Sequence, residues 1–100
     1  MKKVLILLMI FYSTVLAQEK VKMLLNWFPE TGHAGYYAAL QDGLFASKGL
    51  DVTVQAGGPD VNGMALLLTG RTQFTMLGAT QLLLAREQGE PVVAIFALYQ

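Results

Sequence analysis

The stretch LNWFPETGHAGYYAAL, Leu25–Leu40, decides how this chain is read. It follows an apolar run, so that Val21–Trp27, interrupted only by Lys22 and Asn26, predicts a largely buried strand. The run ends on the only tryptophan of the chain, turns through Pro29 and Gly32, and meets the only histidine, His33. From Ala34 to Ser47 apolar residues recur at helical spacing, with Tyr37, Leu40 and Leu44 on one line and Ala34, Ala38 and Phe45 on another. Strand passing at once into helix is the first half of a βαβ unit. Gly43 weakens that helix by about 1 kcal/mol relative to alanine, and Gly49 stops it.

The same rhythm continues on the C-terminal side. Leu50–Gln55 alternates apolar and polar residues and predicts a second strand. AGGPDVNG, residues 56–63, is a loop running into a helix over Val61–Leu68, with Asp60 the expected N-cap and Gly70 the C-terminal stop. Gln73–Leu77 predicts a third strand, and Thr80–Gln88 a third helix with Thr80 at its N-cap and Gly89 closing it. Pro91 opens a last strand, Val92–Leu98, a position where its missing N–H is tolerated. The order strand, helix, strand, helix, strand, helix, strand makes this an α/β fold. The sheet is mostly parallel, with right-handed crossovers and helices on both faces.

Of the 100 residues, 54% are hydrophobic and 14% charged, and the formal net charge is zero, which argues against a nucleic-acid partner. Part of the apolar excess belongs to Met1–Ala17, MKKVLILLMIFYSTVLA: two lysines, an apolar run, and Val15-Leu16-Ala17 as a cleavage site. This is the pattern of a signal peptide, with an uncleaved anchor as the alternative, and its uninterrupted apolar run is short of the roughly 20 residues of a membrane span. The expected mature segment, Gln18–Gln100, carries five basic and seven acidic residues. With no cysteine there is no disulfide framework and no thiolate metal site. An exported, cysteine-free chain suits the periplasm. The final run VVAIFALYQ has no closing turn, so the expectation is that 18–100 is a fragment of a larger domain.

In an open parallel sheet the ligand crevice lies beyond the carboxyl ends of the strands. Three turns are expected to gather there: Asn26–Gly35, Ala56–Asn62 and Gly78–Gln81. Trp27 offers a flat surface on which stacking a planar ring contributes about 1–3 kcal/mol; alternatively it only covers the sheet edge. Asn26 and Glu30 can hydrogen-bond the edge of a stacked heterocycle, or Asn26 can serve only to fix the turn. His33 can meet a ligand or serve the helix start. Gly35 permits close backbone approach, or close packing of helix on sheet. Tyr36, on the other side of the helix from the core-line Tyr37, is the expected crevice wall. Gly58, in the GGPD turn, and the Thr80 hydroxyl complete the candidate ligand-binding set. Gly57–Asp60 lacks the Lys-Ser/Thr of a P-loop and does not match GxGxxG. One histidine and no cysteine assemble neither a metal site nor a nucleophile–base set, so no catalytic residue, metal or cofactor is expected. Arg71 and Gln73 are placed at the opposite end of the sheet, solvated.

Taken together, Leu25-Asn26-Trp27 with His33 and Gly35, the run GLFASKGLDV at Gly43–Val52, and REQGEPVVAI at Arg86–Ile95 resemble a known family. It is the family of solute-binding proteins that includes thiamine-pyrimidine-precursor binders and the fungal thiamine pyrimidine synthases, related to sulfonate and nitrate binders. The resemblance covers nearly all of Val21–Leu98. It implies a type II periplasmic-binding-protein fold, of which this chain is a partial first lobe. It also implies a pyrimidine-like ligand between two lobes, stacked on Trp27, and an ABC-transporter permease as partner. The resemblance departs from the synthases at one informative place. Their third helix carries a histidine consumed in making the pyrimidine, and aligned on Gly89–Pro91 that position is Gln81 here. Their cysteine-rich motif is also missing from this segment. Two other readings keep the fold: the ligand-sensing domain of a membrane signalling protein, or a binder of a sulfonate- or nitrate-like anion.

Overall fold

The computed structural model describes residues 17–99. The predicted leader, Met1–Ala17, therefore lies outside the described residues but for its last position. The elements are β1 (Glu19–Leu24), a 3-10 turn (Thr31–His33), α1 (Ala34–Gln41), α2 (Leu44–Ser47), β2 (Leu50–Gln55), α3 (Gly63–Leu68), β3 (Phe74–Thr75) and α4 (Ala79–Glu87). The three strands form one parallel sheet in the order β2-β1-β3. β1 and β2 pair along their whole length, from Glu19 opposite Leu50 to Leu24 opposite Gln55, whereas β3 meets β1 only at Met23–Phe74 and Leu24–Thr75.

This order reflects two crossovers that run in opposite directions. From β1 the chain steps one way to β2 through α1 and α2; from β2 it returns across β1 to β3 through α3. Right-handed connections in opposite directions put the two sets of helices on opposite faces. The core sits where the central strand passes between them. Leu24 and Leu25, on alternate faces, are each 1% exposed, and Val52, Ala85 and Val92 join them. Burying a leucine this fully contributes about 1.5–3 kcal/mol. The α3 helix starts almost on the sheet, with Gly63 against the Leu24, Thr75 and Leu77 side chains.

Several boundaries depart from the pattern of the sequence. β1 stops at Leu24, not Trp27: Leu25 N–H still reaches the Gln55 carbonyl at 2.9 Å, but Asn26–Pro29 bends away. Trp27 therefore belongs to the turn. The helix expected over Ala34–Ser47 is two helices, because Gly43 takes a left-handed φ of 70° and breaks it after one stretch of eight residues. The helix expected over Val61–Leu68, α3, begins at Gly63 and its N-cap is Asn62, whose side-chain oxygen accepts from Ala65 N–H at 3.0 Å, in place of Asp60. An asparagine side chain two residues further along wins the same role because it reaches the orphan N–H from an extended backbone. Asn62→Ala is expected to destabilise the full-length protein by about 1 kcal/mol, read from denaturant unfolding.

The fourth expected strand, Val92–Leu98, does not form. Its residues join no ladder with the described strands, and Val93, Ile95 and Phe96 are each more than 70% exposed. Strand propensity expresses itself only where a neighbour completes the pairing. The segment leaves α4 with Glu90 N–H on the Ala85 carbonyl and the Arg86 guanidinium on the Val92 carbonyl, and ends with the Tyr99 hydroxyl against Gly32. No helix among the described residues is long and apolar enough to cross a membrane.

Candidate functional site

The strand order reverses between β1 and β3, the first neighbour lying on one side of β1 and the later one on the other. At such a point the loops leaving adjacent strands diverge to opposite faces and leave a crevice at the carboxyl end of the sheet. The structure has a cleft of about 380 Å³ there, lined by Leu24, Leu25 and Asn26 from the end of β1, Pro59–Gly63 from the loop before α3, and Met76, Leu77 and Gln81 from the turn into α4. The three turns expected to converge do so.

Two of these turns are locked together through the backbone. Gly57 N–H donates to the Trp27 carbonyl at 3.0 Å, and a Cβ on Gly57 would collide with the Leu25 carbonyl oxygen and lie 2.8 Å from Asn26 C and 2.9 Å from Trp27 N. Only glycine lets the β2–α3 loop lie this close to the β1 turn. The next residue, Gly58, is buried beneath the Phe28 ring, at 3.3 Å from where its Cβ would be. The Phe28 ring in turn meets the Trp27 indole edge-on, with centroids 5.5 Å apart and planes at 67°.

Asn26 lines the cleft directly and is exposed. Trp27 is 45% exposed on the same turn; it lies next to the cleft wall rather than in it. His33 is 1% exposed. Its Nε2 lies 2.9 Å from Asn26 Oδ1 and 3.6 Å from Glu30 Oε1, while Nδ1 is buried with no hydrogen-bond partner among the described residues. The imidazole thus ties the two ends of the β1 turn, from Asn26 to the start of α1. Gly35 is exposed with open space where a Cβ would stand, and Tyr36 and Tyr37 are both half-buried. Thr80 is exposed in the first turn of α4, but it is not the N-cap. The helix starts one residue earlier, with Gly78 as cap and Gln81 Oε1 accepting from Gly78 N–H at 3.1 Å.

The cleft also contains residues that sequence reasoning assigned elsewhere or passed over. Asp60, Asn62 and Gln81 belong to the turns expected to converge but not to the candidate ligand-binding set, and Met76 and Leu77 were not singled out. The signal that would have found them is positional: the residues after the third strand and just before the second helix face the switch point whatever their type. Arg71 and Gln73 do lie in a separate groove at the other end of the sheet, with Lys20, Lys22, Asp51 and Thr53. Gln73 is more than solvated there, since its Oε1 accepts from Lys22 N–H at 2.7 Å. No group of three or more His, Cys, Asp or Glu residues that could hold a metal ion exists among the described residues.

A parallel sheet opening at its switch point into a cleft between three converging turns is part of the type II periplasmic-binding fold. Residues 30–100 match the family described as NMT1/THI5 like, and the chain belongs to that family. It is similar to a formylaminopyrimidine-binding protein of Halalkalibacterium halodurans, with 30% identity over 79 residues, covering 79% of this chain and 24% of that protein. It is similar to the same degree to the riboflavin-binding protein RibY of Chloroflexus aurantiacus, with 30% identity over 84 residues, 82% of this chain and 24% of the relative. The chain thus spans about a quarter of the length of the curated relatives it matches. Both relatives are named as binding proteins rather than enzymes.

Proposed function

We propose that this chain contributes the first part of the solute-binding lobe of a periplasmic receptor for a flat heterocycle, a thiamine-related pyrimidine, delivered to an ABC importer. One observation carries the reading: a cleft at the sheet's switch point, with a half-exposed indole on the turn that forms one of its walls. The polar atoms for orienting a heterocycle edge are present in Asn26, Asp60, Asn62 and Gln81. The apolar floor is Leu24, Leu25, Met76 and Leu77. In this reading Trp27 stacks the ring, Asn26 meets its edge, and His33 supports Asn26 from behind. Gly35, Tyr36, Gly58 and Thr80 are not among the residues lining the cleft and have no assigned contact in this reading. No catalytic step is assigned to any of them, and the leader at Met1–Ala17 directs export.

A flavin is the second reading, favoured by the equal similarity to a protein named for riboflavin binding. Both ligands are planar and bear ring nitrogens, so the same half-site geometry serves either. The test is calorimetric titration of the full-length mature protein with formylaminopyrimidine, with riboflavin, and with nitrate and an alkyl sulfonate. Micromolar or tighter binding of the pyrimidine alone supports the proposal, and of riboflavin alone the second reading. Binding confined to the anions removes the heterocycle reading altogether. N-terminal sequencing of the protein from a periplasmic extract is expected to begin at Gln18; recovery of intact Met1 from the cytoplasm would contradict export.

A further inference from the structure

Three side-chain amides line the cleft, Asn26, Asn62 and Gln81. Asn62 Oδ1 accepts from Ala65 N–H at 3.0 Å, and Gln81 Oε1 accepts from Gly78 N–H at 3.1 Å. A backbone N–H can be met only by the amide oxygen, so in both residues the NH₂ group is the one left for a ligand. Asn26 reaches the same result by another route. His33 Nε2 faces Asn26 Oδ1 at 2.9 Å and a Glu30 carboxylate oxygen at 3.6 Å. The carboxylate is too far for a hydrogen bond but disfavours a bare lone pair on the nitrogen it faces, and a hydrogen on buried Nδ1 would have no acceptor, so the geometry favours Nε2–H donating to Asn26 Oδ1. Turning the Asn26 amide over would set a bare imidazole lone pair against the Glu30 oxygen. With the proton on Nε2, the buried Nδ1 is a lone pair without a partner among the described residues, which is less costly than an orphaned N–H.

We infer that the cleft wall is a convergent array of amide N–H donors, held in that orientation by Ala65, Gly78 and His33, and that it selects solutes presenting hydrogen-bond acceptors along one edge. Ring nitrogens and carbonyl oxygens of a heterocycle fit the three amides, while Asp60, the acceptor-only carboxylate of the same cleft, is left for a ligand N–H. His33 is a positioning residue in this arrangement, acting through Asn26, and Gln81 is a specificity-determining one. The inference rests on the proposed binding role of the cleft and adds to it the polarity of the ligand edge.

The substitutions that test it change only the outward atom. Asn26→Asp, Asn62→Asp and Gln81→Glu each keep the oxygen that accepts from His33, Ala65 or Gly78, and replace the outward NH₂ with oxygen. In the full-length protein, titrated with formylaminopyrimidine and riboflavin, each is expected to weaken binding of whichever probe the wild type takes, by roughly tenfold or more, with an unchanged melting temperature. Wild-type affinity in all three variants would overturn the inference. A measurement without ligand separates it from the choice of ligand. Long-range ¹H–¹⁵N spectra of the full-length protein, with His33 assigned by comparison with His33→Gln, are expected to show a protonated Nε2 and an unprotonated Nδ1. The opposite tautomer would overturn the inference even if a heterocycle binds. If neither probe binds but Nε2 is protonated, the orientation of Asn26 stands and the pyrimidine and flavin readings are what fail.

Discussion

Trp27→Ala in the full-length protein is expected to weaken binding of a planar heterocycle by about 1–3 kcal/mol, the range that stacking one ring on an aromatic side chain contributes. The melting temperature is expected to move little, because the indole is 45% exposed and its one ring contact is edge-on to Phe28. Two properties of the residue set this expectation. Its backbone is held, with the carbonyl bound by Gly57 N–H, so the ring projects from a fixed point. No other aromatic ring pairs with it among the described residues, and 45% of the residue is exposed. Trp27→Phe keeps a smaller aromatic face and is expected to recover part of the loss. Affinity unchanged in the alanine variant would remove the stacking role and leave Trp27 as a cover for the sheet end.

The second large effect is expected from a residue with no side chain. Gly57→Ala is expected to cost about 1–3 kcal/mol of stability, and more if the loop cannot move, because its new methyl group meets backbone atoms of Leu25, Asn26 and Trp27. Backbone cannot rotate out of the way as a side chain can. The displacement also carries Asn26 and Trp27 with it, so ligand affinity is expected to fall in step with stability. Gly58→Ala provides the contrast: its methyl group meets only the Phe28 ring at 3.3 Å, and that ring stands at the surface and can swing. Thermal melts of the two variants side by side decide the matter. Equal melting temperatures for Gly57→Ala and wild type would show that the two turns are not interlocked.

Much of this architecture was legible because it depends on pattern alone. Leu50–Gln55 was readable to the residue, since a strict alternation bounded by Gly49 and Ala56 leaves one solution. The parallel order followed from helices placed between strands, and the location of the cleft followed from that order. What the residues did not disclose was local competition. Asp60, Asn62 and Gly63 all suit the start of a helix, and only the geometry of the loop selects Asn62. Thr80 and Gln81 present the same ambiguity, resolved when the Gln81 side chain turns back onto Gly78. His33 could not be placed from its type, because a histidine beside a turn serves a ligand or a neighbour equally well. Its burial, and Asn26 at hydrogen-bond distance, place it behind the site. Adjacent glycines likewise look alike in sequence, and only the structure shows that it is Gly57 whose Cα lies against the backbone of the β1 turn.

The uncharged, proline-free run from Val92 to Tyr99, with most of its large side chains facing water, has a consequence for how this polypeptide is made. A window of this composition self-associates readily for as long as nothing covers it. Substitutions that add charge to this run are therefore expected to raise the yield of soluble protein more than they change its equilibrium stability.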